Sequence, residues 1–200
     1  AYKGHDNVVK TFIEAGIDIN IKDEGDTKWT ALMIAAYYDK ISCLKILLDN
    51  GADPDIKIKE KGQTALMLAT EKSNLDIVTE LLSRGANPDI KDEEKGQTAL
   101  MLATEKNMPD IVAELLKKGA DDKIQNIAGK NVLQLAQEEN KDDIVKLLEA
   151  GDQETLNKLI RIIELNKNLI EAAESGDHEG VSRALGEGAE ITCRDWRGDT

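Results

Sequence analysis

Glu60 to Lys72 reads EKGQTALMLATEK, and Glu94 to Lys106 repeats the same thirteen residues at an offset of 34. Thr30, Thr64 and Thr98 keep that spacing, and Asn131 takes the corresponding place 33 residues after Thr98. Glycines give a second landmark: Gly16, Gly51, Gly85, Gly119 and Gly151 follow at intervals of 35, 34, 34 and 32. Self-similarity at a period of about 20–50 residues marks a solenoid or array, in which each unit buries its apolar face on its neighbours.

Each period has the same internal order. Thr64 opens a short helix, Ala65 to Ala69, whose small residues let neighbouring helices approach closely. A turn follows at Ser73-Asn74. A second helix then carries Ile77, Val78, Leu81 and Leu82 at helical spacing, an apolar stripe. Gly85 ends it, where a residue of positive φ is wanted. Asn87-Pro88-Asp89-Ile90-Lys91 leads to the next unit in extended form. Pro109 falls in the first turn of a second helix, where its missing N–H costs little.

These motifs resemble the ankyrin repeat family, whose pattern runs G-x-T-P-L-H-x-A-A, a G-H turn, I-V-x-x-L-L, then G-A-D-V-N and a β-hairpin finger. The matching residues are Trp29 to Ala36, Gly62 to Leu66, Gly96 to Leu100, Gly51 to Asp55 and Gly119 to Asp121, with Gly129 to Ala136 as a weaker copy. Two departures stand out. The family proline is Ala31, Ala65 and Ala99, and the family histidine is Met33, Met67, Met101 and Gln134, so the histidine's hydrogen bonds must be made otherwise. The resemblance implies an all-α solenoid of stacked helix–turn–helix units with β-hairpin-like fingers. It also implies protein binding rather than catalysis.

Composition and charge agree. With 40% hydrophobic and 32% charged residues the chain is globular, and its few aromatics leave the core to Leu, Ile, Val, Ala and Met. A net charge of −13 repels a phosphate backbone and an anionic membrane surface, and steers basic partner segments toward the chain. No apolar run approaches the roughly 18 residues of a membrane span. Cys43 and Cys193 read as ordinary thiols in a reducing compartment, which points to the cytoplasm. His5 and His178, the two histidines, sit in turn motifs. Asp23-Glu24-Gly25-Asp26 and Asp121-Asp122 lack the ligand spacing of a calcium loop and read as solvated finger tips. No phosphate-binding or dinucleotide-binding loop occurs, and neither cofactor nor metal is expected.

Residues 1–151 are expected to be repeats, with the N-terminus falling inside one: Ala1 to His5 reads as a helix end and turn, and Asp6 to Gly16 as a second helix with Val8, Val9, Phe12 and Ile13 on one face. Residues 152–168 read as an amphipathic helix and linker, with Asn168 as an N-cap. Residues 169–200 read as the start of an array like an N-terminal capping repeat, with Gly176-Asp177-His178 as its turn and Asp195 to Thr200 opening the next unit. Three accounts of this order stay open: a piece of a longer protein with two arrays, a permuted chain, or an order that departs from the native one. Open half-repeats expose apolar faces, so residues 169–200 are expected to pack on the N-terminal half-repeat of a second copy.

Ankyrin-type arrays contact partners through their fingers and the residues just after the first helix. The resemblance therefore assigns Tyr2, Lys3, Trp29, Met33, Tyr37, Tyr38, Glu71, Lys72, Glu105, Lys106, Trp196 and Arg197 to a face that binds a protein or peptide. All three tyrosines and both tryptophans fall at such positions, and these types are enriched at binding hot spots. The finger before Trp29 is read as about two residues longer than its neighbours, as a specialised loop would be. The competing account is that Tyr and Trp merely cover the groove between repeats. An array regulating or targeting an enzyme or channel domain outside this chain is the alternative to a scaffold.

Overall fold

The computed structural model describes residues 4–25, 28–150 and 153–189, with Gln153 in its backbone only. Eleven helices run through the described residues: α1 Asp6–Glu14, α2 Ala31–Tyr37, α3 Ile41–Asp49, α4 Ala65–Glu71, α5 Leu75–Ser83, α6 Ala99–Glu105, α7 Pro109–Lys117, α8 Val132–Glu138, α9 Asp142–Glu149, α10 Gln153–Ser175 and α11 His178–Glu187. The chain divides into two compact units, Ala1–Val145 and Lys146–Thr200, with α9 crossing the division.

The first unit is a solenoid of helix pairs. Each seven-residue first helix starts at a side-chain cap: Thr30, Thr64, Thr98 and Asn131 accept a hydrogen bond from the backbone N–H three residues on, at 3.0–3.4 Å. The methionine in the family histidine's place can complete the cap, since Met33 Sδ accepts from the Thr30 N–H at 3.4 Å. Gln134 Oε1 does the same for Asn131 at 3.0 Å. The turn between paired helices uses Asp39, Ser73, Asn107 and Asn140, all with φ of +54° to +59°. At Gly85 (φ +85°) the second helix closes in a Schellman motif: Gly85 N–H donates to Leu82 O at 3.2 Å and Ala86 N–H to Leu81 O at 3.0 Å.

First helices stack on one another, α2 on α4, α4 on α6 and α6 on α8, and second helices α1, α3, α5 and α7 stack behind them. The core runs along this double layer through Leu32, Leu44, Leu66, Ile77, Leu81, Leu100, Ile111 and Leu115, all below 2% exposure. The fingers are hairpin-like turns closed by few hydrogen bonds, with one isolated bridge, Lys22 with Thr30, among the described residues. They touch through backbone: Glu93 N–H donates to Lys61 O, and Ile127 N–H to Lys95 O, both at 2.9 Å. Gly62 permits that approach, because a Cβ there would lie 2.9 Å from Glu93 N, and its φ is +64°. Side chains tie repeat to repeat as well, with Asn20, Asp55 and Asp89 accepting from the N–H of Asp53, Asn87 and Asp121 at 2.8–2.9 Å.

Two expectations differ from the structure. The apolar face of α1 predicts a buried Phe12, yet Phe12 is 55% exposed and only Val9 of α1 is buried, because no helix among the described residues covers the Val8–Phe12 face. Asn168 does not cap a helix: α10 runs unbroken through it. Leu165 and Leu169, both buried, continue the apolar stripe at i, i+4, and a single asparagine opposes helix only weakly. In the second unit α10 packs on α11, which Asp177 caps by accepting from Gly180 N–H at 3.0 Å. No helix of the described residues is long and apolar enough to cross a membrane.

Leu81→Ala is expected to cost about 2–5 kcal/mol in urea unfolding, as a truncation in a filled core. Ile127→Ala, at a residue 72% exposed, is expected to stay within about 0.5 kcal/mol.

Candidate functional site

Trp29 is held at the end of the first finger by its own backbone. Its N–H donates to Asp23 Oδ1 at 3.0 Å, and its carbonyl accepts from Asp23 N–H at 2.8 Å. That finger closes between Asp23 and Trp29, where the next closes between Ile58 and Gln63. It is therefore one residue longer, not two. Tyr37 ends α2, and its ring meets Trp29 edge-on at 5.0 Å between centroids and 61° between planes. Tyr38 packs on Tyr37 in turn, at 5.0 Å and 75°. Lys72, from the next repeat, sets its Nζ 4.1 Å from the Tyr37 centroid. Contact with Tyr37 raises the Lys72 ammonium above its ordinary range. Trp29 and Tyr37 are half-buried and Tyr38 is exposed.

This contact is one rung of a ladder that sequence reasoning missed. Trp29, Gln63, Gln97 and Lys130 each precede a helix cap, and Tyr37, Glu71, Glu105 and Glu138 each stand eight residues further on. The two positions meet in every repeat. Gln63 Nε2 donates to Glu71 Oε1 at 2.6 Å, Gln97 Nε2 donates to Glu105, and Lys130 Nζ pairs with Glu138 at 2.6 Å. The signal was present, since Gln and Glu recur together in the duplicated block, but it needed the helix-to-finger geometry to become a contact.

Between the aromatic rung and the Gln63–Glu71 rung lies a cavity of about 200 Å³. Trp29, Tyr37, Ile58 and Leu68 wall it, and Glu60, Lys61, Gln63 and Glu71 supply its polar groups.

The remaining assigned residues are distributed unevenly. Met33 is 1% exposed and engaged with the Thr30 cap, so it lies beneath the face and has no surface to offer a partner; this corrects its assignment. Glu105 is half-buried and lies 4.0 Å from Lys95, and Lys106 is exposed. Tyr2, Lys3, Trp196 and Arg197 lie outside the described residues, as does Cys193. His5 and His178 are exposed at the starts of α1 and α11. The Cys43 thiol is buried and donates to Asp6 Oδ1 at 2.9 Å; burial, then that hydrogen bond, pushes its pKa up to about 11. A thiol so shifted is a poor nucleophile at neutral pH. Among the described residues no three His, Cys, Asp or Glu side chains converge as metal ligands.

A solenoid of capped helix pairs with stacked fingers defines a class of repeat protein built to display a surface. The family model for ankyrin repeats (3 copies) matches residues 1–92 and 85–158. The chain belongs to the ankyrin repeat family, whose members are generally protein–protein interaction modules. Over 64 residues it is 42% identical to protein phosphatase 1 regulatory subunit 12A of Mus musculus and, equally, to that of Rattus norvegicus. The match covers 32% of this chain and 6% of either relative.

Because the two rings are half-buried against each other, a double-mutant cycle of Trp29→Ala and Tyr37→Ala should show a coupling of about 0.5–1.5 kcal/mol, the range of an aromatic pair beyond its area burial. Denaturant melts check this. A loss as large as that of Leu81→Ala would make the pair part of the core rather than of the display face.

Proposed function

We propose that this array holds a partner protein or peptide on its finger and first-helix face, centred on Trp29, Tyr37 and Tyr38, and carries out no chemistry itself. One observation carries the reading. In a chain with three tyrosines, two tryptophans and one phenylalanine, three of these rings meet at one rung, while the equivalent rungs hold Gln, Glu and Lys. Partly exposed Tyr and Trp bury large area at little entropic cost, which is why they anchor interfaces. The charge of −13 favours a basic partner. The exposed histidines in turns and the buried, raised Cys43 thiol favour a non-catalytic module.

A second reading is a regulatory or targeting array within a larger protein. Its support is the likeness to a phosphatase regulatory subunit, of which the matched region is 6%. The full open reading frame would separate this from a stand-alone scaffold.

The N-terminal edge supports self-association as well. Val8, Phe12, Ile17 and Ile21 are 44–60% exposed beside a groove of about 560 Å³. Ala31 and Ile34 are half-buried there, whereas Ala65 and Leu68 in the same register of α4 are 1% and 2% exposed. An apolar edge of this kind fits a second copy.

Peptides selected on the wild-type chain from a displayed library should bind the Trp29→Ala/Tyr37→Ala/Tyr38→Ala variant at least about tenfold more weakly, a difference of about 1.4 kcal/mol. Equal affinity would remove this face from the reading. Light scattering should show mass rising with concentration, and Phe12→Glu should abolish the rise; a monomer throughout would defeat self-association.

A further inference from the structure

The cavity between the first two rungs has a chemistry of its own. Its volume of about 200 Å³ lies below the roughly 300–1,000 Å³ of small-molecule sites and suits a single side chain. Two of its walls, Trp29 and Tyr37, are aromatic, and two, Ile58 and Leu68, are aliphatic. Such walls accept an apolar stem or a flat, weakly hydrated cation.

The rung carboxylates decide between these. Glu105 has the Lys95 ammonium at 4.0 Å, and Glu138 has Lys130 at 2.6 Å. Glu71 stands in the same place one repeat earlier, yet among the described residues it forms no ion pair; its partner is the neutral Gln63 amide. That amide fixes the orientation of Glu71, which lines the cavity and is half-buried. A half-buried carboxylate is stabilised by an added cation more than an exposed one, because water screens it less. Lys72, which does not line the cavity, sets its Nζ 4.1 Å from the Tyr37 centroid, so that ring already accepts a cation within the chain itself. Glu60 at the rim adds a second negative charge, opposed by Lys61.

We propose that the cavity between Trp29, Tyr37 and Glu71 is a pocket for an arginine side chain of the partner, the guanidinium lying against the aromatic wall and hydrogen-bonding to Glu71. Guanidinium fits better than ammonium because it is planar, stacks on rings and presents a fork of donors to a carboxylate. The pocket rests on the binding face proposed above and names what that face reads: a basic segment with one arginine set between the first two fingers.

The test is an NMR titration of the full chain with N-acetyl-arginine amide, with the citrulline, lysine and leucine amides as comparison arms. The indole N–H signal of Trp29, assigned through Trp29→Phe, and the Gln63 side-chain amide report on the pocket. Arginine amide should shift both saturably, and the neutral citrulline amide should shift neither at the same concentration. Glu71→Gln should weaken binding at least about fivefold with the helical signal in circular dichroism unchanged, and Glu114→Gln, on the second helix α7, should leave it as it was. Citrulline or leucine acting like arginine would overturn the proposal, as would indifference to Glu71→Gln. Lysine amide binding as tightly as arginine would overturn the guanidinium assignment. If the pocket fails in any of these ways while library-selected peptides still need Trp29, Tyr37 and Tyr38, the binding face stands without it.

Discussion

A seven-residue helix has no stability of its own in water, and every first helix here has that length. What holds each one is the neighbour on either side. Ala65 and Leu68 of α4 are buried because α2 lies against them, and Ala99 and Leu102 of α6 because α4 does. Ala31 and Ile34 occupy the same positions in α2 and are half-buried, with no first helix before them among the described residues. The stacking contact between successive first helices therefore sets the rest: it fixes the rise from repeat to repeat, and the fingers inherit that rise. Glu93 reaches Lys61 and Ile127 reaches Lys95 through backbone alone, which is possible only at a constant finger spacing.

Constant spacing turns sequence position into surface position. The residue before each cap and the residue eight further on meet in all four repeats, whatever their chemistry. The position before the cap carries Trp29, Gln63, Gln97 and Lys130 in turn, so its chemistry varies from repeat to repeat even though Gln63 and Gln97 are buried. Leu81 or Leu115 has no such freedom, since a change of one methylene in a filled core is felt.

Much of this was legible in the chain. The duplicated block located the helices, Thr64 and Thr98 marked their caps, Gly85 and Gly119 their ends, and Pro109 the start of α7. These are local signals, each acting within about one turn of helix. What the sequence left hidden depended on neighbours further away. The resemblance puts Met33 on the binding face, but its thioether accepts from the Thr30 N–H and the residue is buried. Phe12 looked like core because the α1 stripe is apolar, and it is exposed because burial needs a second surface. Asn168 looked like a boundary, and the Leu165–Leu169 stripe outweighs it. The Gln63–Glu71 rung joins a finger to the end of a helix, a closure that neither periodicity nor propensity encodes.

The middle repeats make the case for the first rung by contrast. Residues 60–72 and 94–106 are identical, and their rungs form the same amide–carboxylate pair. Identical rungs cannot distinguish one register of a bound segment from the next, so a partner lying along the face could slide by one repeat. The Trp29–Tyr37 rung breaks that degeneracy, as does the Lys130–Glu138 rung at the other end. The aromatic rung adjoins a cavity walled by both rings and by Glu71, a carboxylate with no ion-pair partner among the described residues. If a partner lies along this face as proposed, its register has to be set where the repeat is least uniform, and the gap between the first two fingers is such a place.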